Sequence, residues 1–247
     1  MTDRTEWLDE RTILMAPTGS FAYGTNVESS DRDYKGICIP PIDCYLGLSS
    51  FKGYDNTGGN NFRNTKDDVD VTVQHLSKFV RGAMQGIPND LEMLFVKPEE
   101  YLKLTELGQR LVENRHLFLS QQVFAKMGGY SSSQMNRAKK SAGMLTGRVE
   151  LIAAHGWDTK YFMHAIRLMD QAIEILETGT FTTYRPNREF LLDCRNGKYS
   201  FDEAVQLFEE YDKKLRQAKE TSVLPVQPDK EKINALLIDL TRTGLGL

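Results

Sequence analysis

Apolar and polar positions divide the chain into two halves of different periodicity. In the first hundred residues the apolar runs are short and are interrupted by turn-forming residues, which is typical of strands. From about residue 100 onward, apolar residues recur at spacings of three and four, which predicts helices. The predicted helices cover residues 100–113, 116–127, 131–155, 158–177, 186–195, 200–220 and 229–240. We therefore predict an α+β first half and an all-helical second half.

Three short segments predict the strands of the first half. Residues 13–16 form an apolar run that Pro17 stops, and residues 33–40 form a second that ends at a Pro-Pro pair. The clearest strand is predicted at 68–74, where valines alternate with polar residues, so that one face is expected to be buried. The remaining predictions are helices at 4–12 and 75–85, a strand or a helix at 91–96, and a flexible loop at 55–66.

Length and charge limit the classes of protein that fit. The 247 residues are enough for one large domain or two small ones, and the change of pattern predicts domains at 1–115 and 116–247. Hydrophobic residues make up 40% and charged residues 26%, which is ordinary for a globular protein. The formal net charge is −3, so a global basic field is excluded and any nucleic-acid contact must come from a local patch.

Cysteine content and the apolar runs bear on location. The 3 cysteines are widely spaced and form no C-x-x-C pair, which argues against a zinc knuckle or a disulfide framework and favours a reducing compartment. The N-terminus is charged and polar, unlike a signal peptide. No apolar run approaches the roughly 20 residues that a membrane span needs. We expect a cytoplasmic protein without a membrane partner, and no pattern predicts its oligomeric state.

Two acidic residues at the start of the second strand are the first candidates for chemistry. Side chains at i and i+2 of a strand point to the same face, so Asp31 and Asp33 would project together. Mg²⁺ prefers a few carboxylate oxygens together with water and substrate phosphates. A third carboxylate would complete a two-metal phosphoryl-transfer site. An isolated Asp-x-Asp pair is also typical of a solvated turn or a helix cap.

The third carboxylate is expected on the valine-alternating strand. Asp68 and Asp70 share the polar face of that strand, so periodicity does not choose between them. Upstream, Gly19-Ser20 follows the first strand. A glycine lets the backbone approach a phosphate closely, and a helix beginning after Ser20 would direct free N–H groups at an anion.

These residues resemble a known signature in order and spacing. Gly19-Ser20, ten intervening residues, Asp31-x-Asp33 and a distal strand aspartate resemble the nucleotidyltransferase signature of the DNA polymerase beta superfamily. Nearly the whole chain is similar to the RlaP-type family, which is predicted to act in RNA repair. The segments that carry this resemblance are SSDRDYKGICIPP, DVDVTVQHLSKF, QGIPNDLEMLF, GWDTKYFMHAIRLMDQAIEIL and LPVQPDKEKINALL.

The resemblance implies a fold, a cofactor and a reaction. The fold would be a nucleotidyltransferase domain with a small mixed sheet, followed by a helical domain. Two Mg²⁺ ions, or Mn²⁺ in their place, would be held by Asp31, Asp33 and Asp70, and the family spacing favours Asp70 over Asp68. The substrate would be a nucleoside triphosphate such as ATP, and the acceptor an RNA end, tRNA-like in the simplest case.

The predicted helix at 158–177 adds candidates for nucleotide binding. Lys160, His164 and Arg167 recur at i, i+4 and i+7, so they share one face. By pattern alone this is an ordinary amphipathic helix with a solvated face. The resemblance includes the motif D-T-K-x-x-x-H-x-x-R, and this implies that Lys160, His164 and Arg167 bind the nucleotide together with Gly19 and Ser20.

Other interpretations stay open at this stage. The acceptor can be a protein or small-molecule hydroxyl instead of RNA, or the chain can be a non-catalytic nucleotide- or RNA-binding module. Lys35 is a candidate partner of the carboxylates or of phosphate, and Trp157 is expected in the core. A basic cluster that could contact RNA or simply face solvent comprises Arg137, Lys139, Lys140 and Arg148, with Tyr130 just before it.

Overall fold

The described part of the chain is built around one mixed β-sheet. The computed structural model describes residues 6–56, 69–142 and 148–247. The strands of these ranges are β1 (Thr12–Thr18), β2 (Arg32–Cys38), β3 (Tyr54–Asp55), β4 (Val69–His75) and β5 (Lys103–Leu104). They form a sheet in the order β3-β4-β2-β1-β5. The β2–β4 pair is parallel and the other neighbours are antiparallel, so the predicted mixed sheet is confirmed.

Helices precede, interrupt and follow the strands. Those of the described ranges are α1 (Leu8–Arg11), α2 (Gly19–Tyr23), α3 (Asp43–Leu46), α4 (Leu76–Met84), α5 (Pro88–Glu92), α6 (Glu106–Glu113), α7 (Gln122–Ser141), α8 (Val149–His155), α9 (Thr159–Thr178), α10 (Arg188–Arg195), α11 (Phe201–Thr221) and α12 (Lys230–Leu245). Two short 3-10 helices cover Pro98–Glu100 and Arg115–Phe118. Among the described residues after β5 the regular elements are helices, so the all-helical character predicted for 116–247 is confirmed there.

The first strand is longer than its apolar run. We expected Pro17 to stop it, but β1 continues to Thr18, with Pro17 opposite Tyr34 of β2. The main-chain carbonyls of Ile13 and Met15 accept hydrogen bonds from the chain around β5, so the main-chain polar groups of the odd-numbered residues of β1 point away from β2. Pro17 is also odd-numbered and lies beyond the end of β5. Its missing N–H therefore breaks no hydrogen bond of the sheet.

The helix boundaries predicted between 100 and 155 are wrong in part. The segment 100–113 divides into the end of a 3-10 helix, strand β5 and helix α6. Instead of helices at 116–127 and 131–155, one continuous helix α7 runs through the expected break at Gly128-Gly129, and α8 is separate. Glycine is tolerated there because Gly129 faces no neighbour and Gly128 packs only against the side chain of Leu215. Residues 143–147 and most of the predicted loop lie outside the described ranges.

Helix α9 is the central element of the second half. Its ends follow the prediction, since the Asp158 carboxylate caps the N-terminus by accepting from the Lys160 N–H at 3.1 Å, and Gly179 ends it at φ +71°. Its polar face is less solvated than an amphipathic pattern suggests, because Arg167 is 4% and Gln171 0% exposed. The helix packs against α7, α10 and α11. Residues of α9 can therefore be fixed from several sides.

One hydrophobic cluster joins the two halves. It contains Leu14 and Ile37 of the sheet, Phe79 of α4, Ile175 of α9 and Leu240 of α12. Helix α12 returns from the end of the chain to pack on α4 and α6. The domain boundary near residue 115 stays a prediction. Among the residues that the structure describes, no helix combines the length and apolar character required to span a membrane.

Candidate active site

Three carboxylates meet at one end of the sheet. Asp33 of β2 lies opposite Asp70 of β4, because the parallel pairing puts these two positions in register. Asp31 directly precedes β2. Carboxylate oxygens of Asp31, Asp33 and Asp70 lie within 4.8 Å of one another, close enough to hold a cation together. The structure thus brings the predicted triad together with Asp70, while Asp68 lies outside the described residues.

The electrostatics of the triad favour a cation. Burial, followed by the charges of Asp31 and Asp70, raises the pKa of Asp33 to about 6 against the opposing effect of Lys160. A cation between the carboxylates would relieve this repulsion. The donor set consists of hard carboxylate oxygens, which suits Mg²⁺ or Mn²⁺ and not a soft ion. The residues present therefore fit the divalent metal that the sequence predicts.

Gly19 closes the site against Asp33. Its φ is +66°, a conformation that L side chains rarely adopt, and a Cβ built on it would lie 2.5 Å from Asp33 Oδ2. Both observations require glycine. The α2 helix begins at Gly19, two residues earlier than expected, and spans only 5 residues. Ser20 lies in its first turn, where its main-chain carbonyl accepts from the Thr25 N–H at 2.9 Å.

We expect Gly19→Ala to lower kcat/KM for any reaction at the triad by about 10²-fold, because the added methyl group must displace the Asp33 carboxylate by an ångström or more. Gly156→Ala is the matched control, since Gly156 has φ +80° and nothing within 4 Å of the Cβ position. Both variants should lose similar stability in urea denaturation. Equal activities of the two variants would contradict the proposed contact.

A cationic cluster faces the triad from the helical half. It consists of Arg148, Lys160 and Arg195. Burial lowers the pKa of Lys160, and the neighbouring Arg148 and Arg195 lower it further, while Asp31 acts in the opposite direction. The Arg148 guanidinium is partly neutralised by Asp158, at 3.0 Å. Arg148 lies close to Lys160 and Arg195, and these two also interact with Asp31, so the cluster concentrates positive charge next to the triad.

Arg195 is the residue that the sequence analysis missed. Burial and then Arg148 lower the pKa of its guanidinium, and Asp158 and Asp31 oppose this shift. Its Nη1 is buried and has no hydrogen-bond partner among the described residues. Arg195 ends α10, far from α9 in sequence, and the contact depends on the Thr159 hydroxyl donating to the Arg195 carbonyl. The spacing of polar and apolar residues along the chain does not predict such a long-range contact.

Arg167 is placed differently from the other candidates of α9. Its Nη1 donates to Glu92 at 2.5 Å and to Gln171 at 2.7 Å, and its guanidinium lies 3.7 Å above the Tyr23 ring. The Tyr23 hydroxyl donates to the same Glu92 carboxylate at 2.8 Å. Arg167 is thus held in a buried network. His164 lies one turn earlier, and burial followed by the charge of Arg167 lowers its pKa well below the usual value, so its imidazole is neutral.

A cavity of about 450 Å³ opens beside the triad. Gly19 connects it to Asp33, and His164 and Arg167 line it from α9. Residues from the start of α5 and from α7 complete the wall. The remaining lining residues are Tyr23, Ile87, Pro88, Asn89, Tyr130, Ser133, Gln134, Arg137 and Leu168. The volume lies within the roughly 300–1,000 Å³ that is typical of small-molecule sites.

The other candidates take structural places. Lys35 pairs with the buried Asp90 of α5 at 2.6 Å, and a contact of Lys35 with phosphate stays a prediction. Trp157 is 3% exposed, which confirms its place in the core. The predicted basic cluster divides: Arg137 lines the cavity with Tyr130, Arg148 belongs to the cationic cluster, and Lys139 and Lys140 are exposed on α7.

The sheet, the triad and the facing helical half define a nucleotidyltransferase of the DNA polymerase beta type. The sequence profile described as RlaP, RNA repair pathway DNA polymerase beta family, matches residues 3–239, and the chain belongs to this family. The assignment confirms the resemblance seen in the motifs and the fold class that it implied.

Individual proteins similar to the chain include a phage protein and a bacterial protein of known structure. An uncharacterized 38.9 kDa protein from the nrdC-mobD intergenic region of Enterobacteria phage T4 is 31% identical over 121 residues, which is 48% of this chain. The match spans 36% of that relative's length. A nucleotidyltransferase-like protein from Exiguobacterium sibiricum 255-15, known from a crystal structure, aligns over 98% of this chain and 76% of its own with 11% identity and a TM-score of 0.30.

Proposed function

We propose that the protein transfers a nucleoside monophosphate from a nucleoside triphosphate to an acceptor hydroxyl in a divalent-metal-dependent reaction. The observation that carries this proposal is the triad of Asp31, Asp33 and Asp70, whose carboxylate oxygens lie within 4.8 Å of one another. A cationic cluster and a cavity lie beside the triad. The proposal includes the cytoplasmic location that the cysteine content predicts.

The metal would be held by Asp31, Asp33 and Asp70. Two Mg²⁺ ions bound there would neutralise developing charge and polarise the phosphate and hydroxyl oxygens, and Mn²⁺ can take the same ligands. Asp33 and Asp70 are fixed by the β2–β4 register, and Gly19 limits where the Asp33 carboxylate can move. The protein therefore supplies rigid ligands in place before substrate arrives.

The triphosphate would lie against Arg148, Lys160 and Arg195, with Gly19 and Ser20 near the α-phosphate. These cations stabilise the charge that collects on pyrophosphate as it leaves. Arg195 Nη1 offers a donor that is already desolvated, so it loses little hydration when a phosphate oxygen binds it. His164 is neutral and can donate or accept one hydrogen bond. Arg167 acts through Tyr23 and Glu92 as a positioning residue.

The reaction forms one bond and breaks one. The acceptor hydroxyl oxygen bonds to the α-phosphorus, and the bond from that phosphorus to the oxygen bridging the β-phosphate breaks. Pyrophosphate leaves with the electron pair. The hydroxyl proton passes to a carboxylate of the triad, for which Asp70 is our candidate. The acceptor is proposed to be an RNA end, since the chain belongs to an RNA-repair family.

Label transfer tests the proposal. The protein is incubated with Mg²⁺ and each α-labelled nucleoside triphosphate, with total tRNA, a protein lysate or no acceptor. Label on RNA that disappears in Asp31→Ala/Asp33→Ala supports the proposal. Label on protein assigns a protein acceptor instead. Metal-dependent nucleotide binding without transfer to any acceptor would overturn catalysis and identify a binding module.

Arg195→Gln is expected to raise KM for the nucleoside triphosphate by about 10-fold or more, because a hydrogen bond to a charged group contributes about 1.5–3 kcal/mol. Arg188→Gln is the matched control on the same helix, since Arg188 lies at the solvent-facing start of α10 and pairs with Glu189 at 3.6 Å. Initial-rate measurements at saturating acceptor give both values. An unchanged KM for Arg195→Gln would remove this residue from the phosphate site.

A further inference from the structure

We propose that one exposed stripe of helix α7 binds the single-stranded end of the acceptor RNA beside the triad. The inference rests on the proposed function, since it assigns the surface that holds the acceptor during the reaction. It adds to that function a binding surface outside the reacting centre and the form of RNA that this surface fits.

The stripe is defined by the spacing of its residues along α7. It comprises Lys126, Tyr130, Ser133, Arg137 and Lys140, which follow one another at alternating intervals of four and three residues. Such intervals keep side chains on one face of a helix. Lys126 is partly exposed and the other four residues are exposed. At a rise of about 1.5 Å per residue the stripe is about 21 Å long, which is enough for about six nucleotides of a stacked strand at about 3.4 Å each.

Helix α7 is positive although the chain as a whole is negative. The chain has 34 acidic residues, yet no Asp or Glu falls among the 20 residues of α7. The cations of this helix are Lys126, Arg137, Lys139 and Lys140. None of the four forms a salt bridge with a carboxylate in the ranges that the structure describes. Their charge is therefore available to an anion that binds along the helix.

The stripe lies beside the triad. Its middle residues line the cavity whose wall includes Gly19, and Gly19 also abuts Asp33 of the triad. The guanidinium carbon of Arg137 lies 6.0 Å from the centre of the Tyr161 ring, and that of Arg148 lies 5.2 Å from the same centre. Positive charge therefore continues from the stripe to the cationic cluster. A strand that lies on the stripe would have its end within reach of the triad.

An exposed aromatic ring indicates the form of the RNA. Tyr130 is 44% exposed and lies within the stripe, between Lys126 and Arg137. Lysine and arginine contact the phosphates of any sequence, and an aromatic ring stacks on an unpaired base. The bases of a duplex are already stacked on their neighbours, and an acidic peptide offers phosphate-like charge without a base. Cations with an interleaved aromatic ring are typical of surfaces that bind single strands without sequence preference.

Binding of labelled RNA tests the surface directly. Fluorescence anisotropy would compare a short single-stranded RNA, the same RNA in a duplex, and labelled polyglutamate. Lys126→Gln/Lys140→Gln removes two charges of the stripe that are not among the described residues lining the cavity. Lys139→Gln/Lys213→Gln is the matched control, because it removes the same charge from two exposed positions that lie off the stripe.

We expect Lys126→Gln/Lys140→Gln to bind single-stranded RNA about 10-fold more weakly than wild type at about 0.1 M salt. The slope of log K against log salt concentration should become shallower by about 1.4, because each phosphate contact to a single strand contributes about 0.7. The control variant should stay close to wild type in both measurements. Equal losses in the two variants, an unchanged affinity of the stripe variant, or equal binding of polyglutamate and RNA would overturn the proposal.

The aromatic residue has its own test. Tyr130→Ala should weaken the binding of single-stranded RNA by about 10-fold and leave duplex binding within about twofold, because only an unpaired base can stack on the ring. Tyr130→Phe keeps the ring and should match wild type with both forms of RNA. Equal losses for single-stranded and duplex RNA in Tyr130→Ala would contradict a single-strand surface.

These outcomes are separable from those of the reaction. If single-stranded RNA binds as expected but no label reaches any RNA, nucleotidyl transfer to RNA fails and the binding surface stands. If label reaches RNA, Lys126→Gln/Lys140→Gln should raise KM for RNA by about 10-fold and leave KM for the nucleoside triphosphate unchanged. An unchanged KM for RNA, or a raised KM for the nucleoside triphosphate alone, would overturn the surface while the catalytic proposal stands.

Discussion

Replacing Asp33 by asparagine is expected to lower kcat for nucleotidyl transfer by at least about 10³-fold, equivalent to about 4 kcal/mol of transition-state stabilisation. Asp33 is the central carboxylate of the triad, with Asp31 beside it and Asp70 opposite it in the β2–β4 register. Asparagine keeps the shape but removes the charge that a divalent ion requires, and metal-assisted charge stabilisation contributes several kcal/mol. Label transfer at saturating metal and substrate measures the loss.

The control for this variant is Asp43→Asn, since Asp43 is an exposed residue of α3 away from the triad. It should leave kcat within about twofold of wild type, because surface substitutions away from special features have small effects. If Asp33→Asn retained a tenth or more of wild-type activity, the triad would not be the catalytic metal site.

Although Asp33→Asn should lower activity, it should raise the stability of the folded protein at pH 7. The pKa of Asp33 is about 6 in the folded protein against an ordinary value of 3.8, so the folded state holds this proton more tightly than the unfolded state. The resulting stabilisation is complete below pH 3.8 and is lost as the pH rises through about 6. With chelator at pH 7, Asp33→Asn should therefore melt at a higher temperature than wild type, and the difference should disappear near pH 4. A lower melting temperature for the variant at pH 7 would contradict mutual repulsion within the triad.

The sequence was sufficient for the parts of the site that lie on strands. The i, i+2 spacing of Asp31 and Asp33 and the alternation around Asp70 translate directly into side chains on one face. The register that puts Asp33 beside Asp70 could be predicted only from the resemblance. With 36 residues between the two positions, the two strands could pair in several registers. The α+β character followed from periodicity for the same reason: each period corresponds to one backbone geometry.

Long-range contacts were beyond the sequence patterns. The helix periodicity predicted that Lys160, His164 and Arg167 share a face, but the neighbours of that face are set by the packing of α9 against α7 and α10. Arg195 enters the site through this packing, and Arg167 is buried by it. Polar periodicity reports which residues can face water, whereas a fold can cover such a face when each charge finds a partner.

Arg167→Met is expected to lower the free energy of unfolding by about 3–5 kcal/mol, because it leaves the Glu92 carboxylate buried with its counter-charge removed. Both side chains are almost completely buried, at 5% and 4% exposure, and the Tyr23 hydroxyl is the remaining partner of the carboxylate. Urea denaturation measures the loss. This result would assign Arg167 to the support of the site and not to direct contact with the triphosphate, which the sequence motif alone implied.

Two further variants make the test of Arg167 specific. Arg167→Met/Glu92→Gln removes both charges and should recover at least half of the lost stability, since replacing a whole buried pair costs far less than breaking it. Arg110→Met breaks the more exposed pair with Asp239 and should cost at most about 1 kcal/mol. A loss below about 1 kcal/mol for Arg167→Met, together with a raised KM for the nucleotide, would instead identify Arg167 as a phosphate ligand that leaves Glu92 when substrate binds.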